Sequence, residues 1–504
     1  MGAGPAEPRL HHLSHDGRAA AARPLAPGAL RGALDALVAR HEVLRTRYEV
    51  VDGDPVQIVD APAPVDLVEE DLTGLAPADR AHRLAVLGTS GRRPVDLAGG
   101  PVFRAVLARC SAEEHALFLT VHHIAADGRS EELMVRELMA DYRRLSAGEE
   151  YPAPAPPALQ YADFAVWQRA RLTEEKLRAG LDHWRGRLAG LAPLELPTDR
   201  PRPAVRDERG AVAPFTVPAD VARRLSRLAR ERGATPFMAA LAAFQVLLGR
   251  YSGSTDIAVG TPVSGRDRTE TQDMLGLFLN TLVLRTDLSG APGFGEVLNR
   301  VREGSLDDYG HQEVPFERLV DALAPERDPS RTPLFGAMFL WEGADGQPSG
   351  ADAGGAETLV VERLAVGETT AKFDLTLSVS EQPDGSLSGG LNYATALFDA
   401  ATAARMADHF TRLLTAAVAE PDVPVAELEL MSPAELEQVV HRWNDTAVPF
   451  PTGTLHGLFE AQAAATPDAV AVADEDGTLG YAELDRRAEA VADALRARGP
   501  VPAP

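Results

Sequence analysis

The chain has 504 residues, room for roughly three units at about 150 residues each. Lys plus Arg number 50 and Asp plus Glu 74, and the resulting net charge of −24 excludes the basic face that a nucleic-acid binder needs. Hydrophobic residues at 45% and charged residues at 25% describe a globular chain with ample core material, while the single cysteine, Cys110, excludes a disulfide framework and a multi-cysteine zinc site.

The N-terminus, MGAGPAEPRLHHLSHDG, has no apolar segment of the kind a signal peptide needs. No stretch approaches the eighteen or so apolar residues of a membrane span, so a soluble cytoplasmic protein with no membrane partner is expected. Residues 25–44 read as an amphipathic helix with Pro near its start. RTRYEVVDGDPVQIV follows, and its DGDP between two apolar runs is a hairpin signal. PVFRAVLARC and EEHALFLTVHHI are strand-like, and SEELMVRELMADYRRL is a helix with Leu133, Val135, Leu138 and Met139 as buried candidates. YPAPAPPAL (151–159) and ELPTDRPRPAVRDERG (195–210) are stiff connectors, because Pro cannot join a helix interior. Between them one or two helices bridge two halves, with Trp167 expected in the core.

The second half, about 211–430, alternates in the same way. VARRLSRLARERG and TPFMAALAAFQVLLGRYSG read as helices, the latter apolar all round and so buried. DIAVGTPVSG, FLNTLVLRTDL, AMFLWEG and KFDLTLSVSEQPDGSLSGGLNYA supply strands, and DAATAARMADHFTRLLTAAVA closes with a helix. QPSGADAGGAE (347–357) is expected as a mobile loop. Element order predicts a duplicated α/β layer unit, without any residue-level repeat. Residues 455–504 read helix, strand, helix, and fifty residues are marginal for an independent core.

One stretch carries chemistry, VHHIAADGRS at 121–130. A hydrophobic strand runs into His122 and His123, Asp127 and Gly128 follow on a turn, and a helix begins near Ser130. Adjacent strand residues point to opposite faces, so the two histidines do different jobs. A neutral imidazole suits proton transfer near pH 7. Asp127 is suited either to an ion pair that holds the loop or to orienting a ring nitrogen. Gly128 permits a positive φ or a close approach of substrate to backbone. A histidine pair ending a strand is by itself more often structural; here strand, pair, gap, DG and helix fall together, which favours function. Adjacent strand histidines diverge and no third soft ligand is near, so no metal ligand is assigned. No phosphate-binding loop is present, and no directly bound cofactor is expected. Arg40 and Glu42 read as a solvated or capping charge cluster, and Cys110 as a small buried hydrophobe.

HHIAADG resembles the HHxxxDG signature of nonribosomal peptide synthetase condensation domains and of the wider chloramphenicol-acetyltransferase-like superfamily. RHEVLRTRY (40–48), YADFAVWQR (161–169), GLFLNTLVLR (276–285), HQEVPFERLV (311–320) and RDPSRTPLFGAMF (327–339) resemble further motifs of that family, in its order. The resemblance implies an α/β fold of two acetyltransferase-like subdomains in a V-shaped pseudo-dimer with a central tunnel. They would span 1–160 and 161–430, followed by a linker at 431–454 around WNDTAVPFP. Residues 455–504 resemble the truncated start of an adenylation domain, and the remainder of such a domain is then an implied partner. The implied reaction is amide-bond formation between substrates on the 4'-phosphopantetheine arms of upstream and downstream carrier proteins, without ATP or metal. By the same resemblance His123 is catalytic, His122 is structural, and Asp127 pairs with a cation for which Arg45 is the expected residue. The alternatives are an epimerisation or stand-alone acyltransferase enzyme, or a degenerate recruitment platform. Such platforms tend to lose the second histidine, which is intact here. Residues 1–24 carry nothing like the motif and strand on which such domains open, so that strand is expected to be missing or diverged.

Overall fold

The structure is a computed structural model that describes residues 16–20, 25–90, 95–149, 155–323, 328–342, 360–364, 370–450 and 452–499. The stretch 347–357, expected as a mobile loop, lies outside these residues. The chain divides into two compact units, Met1–Leu430 and Met431–Pro504.

In the first unit, strand β1 (Asp16–Ala20) precedes helix α1 (Pro27–Arg40), and a single 3₁₀ turn at Glu42–Arg45 leads into the hairpin β2 (Thr46–Val51) and β3 (Asp54–Val59). Asp52 and Gly53 both have positive φ, 54° and 91°, the two-residue turn that suits the twist of a hairpin. Then come β4 (Leu67–Asp71), α2 (Pro77–Ser90), β5 (Phe103–Arg109), β6 (Glu114–Val121), α3 (Gly128–Ser146), α4 (Tyr161–Arg171) and α5 (Glu174–Arg187). The remainder is β7 (Gly210–Val217), α6 (Ala219–Glu231), α7 (Pro236–Ser252), β8 (Asp256–Val263), α8 (Thr269–Gln272), β9 (Asn280–Asp287), α9 (Phe294–Tyr309) and α10 (Phe316–Leu323), followed by β10 (Ala337–Glu342), β11 (Val360–Leu364), β12 (Leu375–Glu381), β13 (Leu387–Ala394) and α11 (Ala400–Ala419).

Two sheets organise these elements. The first has the order β11-β1-β6-β5-β4, and the second the order β7-β13-β12-β10-β8-β9. In the first sheet the period-2 alternation of β5 and β6 feeds two cores. Phe103, Ala105, Leu107, Leu119 and Val121 pack with α1 and α3, whereas Ala108, Cys110, Ala116 and Phe118 pack with Leu84 and Leu87 of α2. Helices therefore cover both faces. In the second sheet α7 is the central support. Twelve of its residues are buried, Thr235 caps its start by accepting from Met238 N at 3.2 Å, Pro236 opens it, and Gly253 at φ 71° ends it. Among the buried candidates of α3, Leu133 and Leu138 are in the core, Val135 and Met139 are half-buried, and Met134 is a core residue that the periodicity omitted.

Three expectations are corrected. A strand does stand ahead of α1: Asp16–Ala20 pairs antiparallel with both β6 and β11. The division near residue 160 is crossed, because β11 follows β10 of the second sheet in sequence yet forms an edge of the first. Trp167 is not core; it is 38% exposed, with the guanidinium of Arg268 4.6 Å from its ring centroid.

The second unit holds α12 (Pro433–Leu436), α13 (Leu455–Ala465), the hairpin β14 (Val470–Asp474) with β15 (Gly477–Gly480), and α14 (Tyr481–Ala497). What reads in sequence as one strand is thus a hairpin, turned at Glu475–Asp476. Ala463 is the buried apolar residue of this unit among those described. No described helix is long and apolar enough to cross a membrane.

Candidate active site

The site grows from the end of β6. His122 N donates to Val102 O at 2.8 Å, one step beyond the last residue of the strand. The chain then makes a single 3₁₀ turn at His123–Ala125 and enters α3 with Asp127 as its N-cap. The two histidines part there, although both lie past the end of β6 and His123 is in the 3₁₀ turn, so the turn and not strand alternation separates them. His122 is buried at 5% exposure and its Nδ1 accepts from Ile124 N at 3.1 Å, so it closes the turn. His123 is half-buried, with Nδ1 2.7 Å from Ala126 O. A carbonyl only accepts, so Nδ1 of His123 carries the hydrogen and the lone pair of the neutral ring sits on Nε2. Burial pulls His123 below the ordinary imidazole value, against the opposing pull of the Ala126 carbonyl and the Asp127 carboxylate. Burial thus favours the neutral form of the ring.

Asp127 is occupied on every side. Its Oδ1 accepts from Ser130 N at 2.9 Å, from Ser130 Oγ at 2.8 Å and from the Arg266 guanidinium at 2.8 Å, and its Oδ2 accepts from Phe278 N at 3.1 Å. The first of these contacts is an N-cap, and a carboxylate at a helix start also suits the helix dipole. Such a group holds structure and is poorly placed to move protons.

The partner of Asp127 is Arg266, not Arg45. Both members of the pair are almost fully enclosed, with side-chain exposures of 3% for Arg266 and 4% for Asp127. Arg45 is committed elsewhere: its guanidinium donates to the Asp60 carbonyl and lies 3.7 Å from Glu42. Gly128 does not use a positive φ; it opens α3, and a Cβ there would meet nothing within 4 Å. Its missing side chain leaves open space beside the turn.

Several residues of the site carry no signal of their own in the sequence. Arg266 also donates to Met274 O at 2.7 Å and lies 4.1 Å from the ring centroid of Phe278. Ser130 Oγ accepts from Gly276 N at 3.0 Å. Tyr161, the first residue of α4, donates to Leu277 O at 2.6 Å and packs edge-on against Phe278 at 5.3 Å. Burial pushes its hydroxyl up to about 12, so it remains a donor. Gly265 is required next to Arg266: at φ 62° an added Cβ would lie 2.2 Å from Phe278 O. What could have pointed to this group is the turn VSGRD directly after a strand, together with two motifs, YADFAVWQR and GLFLNTLVLR, whose contact is visible only in three dimensions.

Of the two residues expected in a solvated or capping cluster, Glu42 does stand partly exposed in the first turn of the 3₁₀ helix, whereas Arg40 does not. Arg40, at 9% exposure, lies 2.6 Å from Asp141 and also pairs with Glu137, while His41 Nε2 is 2.8 Å from Glu137. Gln160 Nε2 donates to Arg40 O at 3.0 Å, tying α1 to the start of α4.

The site thus consists of a two-sheet α/β fold, a histidine just past a strand end, and a buried Asp127–Arg266 pair at the start of the following helix, and its class is that of an acyltransferase-type enzyme by the family match that follows. The Condensation domain family matches residues 6–440, and the chain belongs to it, as an amide-bond-forming condensation domain of the kind found in nonribosomal peptide synthetases. The chain is 43% identical over 471 residues to a linear gramicidin synthase polypeptide of Brevibacillus parabrevis, a match that takes in 92% of this chain and 6% of that protein. It thus spans only a small part of the length of such relatives. The crystal structure of the X-domain from teicoplanin biosynthesis superposes with a TM-score of 0.76 at 32% identity, over 85% of this chain and 94% of that one. The first condensation domain of the calcium-dependent antibiotic synthetase shares the fold, with a TM-score of 0.66 at 22% identity over 84% and 95% of the two chains.

Proposed function

We propose that this chain joins an upstream carrier-bound peptidyl or acyl thioester to the amine of a downstream carrier-bound aminoacyl group, with His123 as the catalytic residue. The α-amino nitrogen attacks the thioester carbonyl, the C–S bond breaks, and the upstream thiol leaves. An α-amino group titrates at about 7.7–8.0, so a usable fraction is already neutral near pH 7. The tetrahedral species must still lose a proton from nitrogen. His123 Nε2 takes that proton and passes it to the departing sulfur, or holds the amine in place by a hydrogen bond. The observation that carries this reading is the Ala126 carbonyl on His123 Nδ1, which puts the lone pair on the other nitrogen.

In this reading the two sheets belong to the two halves of a V, with the substrates meeting in a tunnel between them at His123. The substrates arrive on phosphopantetheine arms, the reaction proceeds in the cytoplasm, and residues 455–504 are the beginning of an adenylation domain joined through the linker at 431–454.

The test is His123→Ala, assayed with loaded donor and acceptor carriers. Removing a general base costs on the order of 10²–10⁴-fold, so product formation should fall by that much with the circular dichroism spectrum unchanged. Near-normal transfer by the variant removes both the base and the positioning role. A wild-type chain that transfers nothing but captures a separate enzyme would instead be a recruitment platform.

A further inference from the structure

We propose that the Tyr48 hydroxyl is a substrate-binding group, a hydrogen-bond donor to an amide carbonyl of the carrier-bound donor substrate or of its phosphopantetheine arm. The inference rests on the reaction proposed above and adds to it a residue that recognises what the carrier brings. Tyr48 is the last residue of RHEVLRTRY. Its hydroxyl oxygen is closed off from solvent and has no hydrogen-bond partner among the described residues.

Packing does not account for that hydroxyl. A buried tyrosine oxygen ordinarily finds a partner, and a buried donor left alone costs stability. The ring lies half-buried against the core shared by α1 and α3, and phenylalanine would fill the same space without enclosing a donor. Tyr161 makes the contrast. Both rings pack on the same core cluster, yet the Tyr161 hydroxyl is spent on Leu277 O at 2.6 Å. Burial first, and the nearby Tyr161 second, push the Tyr48 hydroxyl above the ordinary phenol range, so it stays protonated and able to donate. Neither cause is a cation or a carboxylate. The acceptor that suits it is therefore neutral, a carbonyl oxygen, because a charged group there would be buried without a counter-charge.

The chain places this donor beside the histidine turn. Tyr48 N donates to Leu97 O at 2.9 Å, and further along the same segment Val102 O accepts from His122 N at 2.8 Å. One short stretch of backbone thus holds the tyrosine at one end and the turn at the other. Ile124, the neighbour of His123, packs on the same cluster as the Tyr48 ring. The β2–β3 ribbon joins neither large sheet, and its tip stands in water with Val50 73% exposed. A two-stranded ribbon has little stability of its own, so an outward shift of this ribbon is the movement that uncovers the hydroxyl to an entering arm. The arm carries amide groups along its length, and a peptidyl donor adds its own.

The experiment compares Tyr48→Phe with the wild type, as full chains, for transfer from a donor carrier loaded with an N-acetylalanyl thioester and from one loaded with an acetyl thioester. A hydrogen bond between neutral groups corresponds to roughly two- to tenfold, so kcat/KM should fall by about that factor. A fall with the N-acetylalanyl donor alone assigns the carbonyl to the peptide; a fall that includes the acetyl donor assigns it to the arm. The denaturant midpoint should hold or rise, because the variant no longer encloses an unpaired donor. Unchanged kcat/KM with both donors overturns the proposal. So does a lower midpoint accompanying the fall, which marks a hydroxyl that serves the fold. A wild-type chain that transfers nothing fails the reaction proposed above, and the hydroxyl is then tested by equilibrium binding of the N-acetylalanyl-loaded carrier. Binding weakened about two- to tenfold in Tyr48→Phe upholds the proposal, and equal or absent binding overturns it.

Discussion

Two buried arginine–carboxylate clusters sit on the same helix, α3, and do different work. At its start, Asp127 pairs with Arg266, which comes from the loop after β8 of the second sheet. Further along, Glu137 and Asp141 meet Arg40, the last residue of α1, within the same layer of the first sheet. The first cluster is enclosed throughout; in the second, Glu137 remains 20% exposed and reaches water. Asp127 also accepts from the backbone of Ser130 and Phe278, so its pair sets the turn that follows His123. The Arg40 pair sets only how two helices lie together. The same chemistry thus serves site geometry in one place and packing in the other, and which it serves depends on what the opposing segment carries.

The difference is most directly broken at Asp127. Replacing it with Ala leaves Arg266 buried without its counter-charge, a loss of about 3–5 kcal/mol. Asp127→Ala should therefore lower unfolding stability by that amount and lower the transfer rate together. Asp127→Asn, which keeps the cap on Ser130 N, should lose less of both. Denaturant unfolding of Asp127→Ala that matches the wild type would show that the carboxylate holds no structure.

Arg40→Met is the counterpart. Glu137 regains water when the arginine is lost, but the carboxylate of Asp141, whose side chain is 5% exposed, stays buried without that counter-charge. The expected loss is about 3 kcal/mol in stability, at the low end for a broken buried pair, with kcat unchanged, read from denaturant unfolding and the carrier-based transfer assay. A fall in kcat with stability intact would erase the distinction between the clusters.

How far the sequence reaches follows the same line. The strand end before His122, the turn and the helix start are local and legible within VHHIAADGRS; the ion pair of Asp127 is also among its expected uses, but its N-cap on Ser130 N is not read there. Arg266 is out of reach: a buried aspartate implies a cation, but nothing in the order of residues says which arginine folds back to it. Arg45 belongs to a conspicuous motif, yet its side chain turns to the Asp60 carbonyl and Glu42 and not to Asp127. Strand β1 escapes notice because DGRAA has none of the β-branched or aromatic residues that mark a strand; partners on both sides hold it in the sheet. Trp167 sits at helical spacing with Phe164, whose ring meets Phe278 at 4.6 Å, but the tryptophan itself points past that contact toward Arg268. The β14–β15 turn is the one omission that local chemistry corrects, since Asp474 accepts from Asp476 N and Gly477 N at 2.9 and 3.0 Å.

The smallest expected effect separates scaffold from site by pH. His115, on β6, and His122 and His123 are all pulled below the ordinary imidazole value, in each case chiefly by burial. An unfolded histidine titrates near 6.5, so below that pH the unfolded chain takes up protons that the folded chain refuses. Stability is then complete above about pH 6.5 and falls as the pH drops toward the folded values, by at most about 1.4 kcal/mol per pH unit for each histidine. The rate behaves differently. The neutral base survives below 6.5, so the acid limb of the transfer rate should lie lower than that of a free imidazole. His115→Gln sharpens the contrast, because His115 is 7% exposed on a strand that carries the site without entering it. Its loss should flatten the slope of stability between pH 6.5 and 5 while leaving the rate profile where it was. A shifted rate profile in His115→Gln would mean that the sheet and the His123 turn titrate as one unit, and the separation drawn between them would fail.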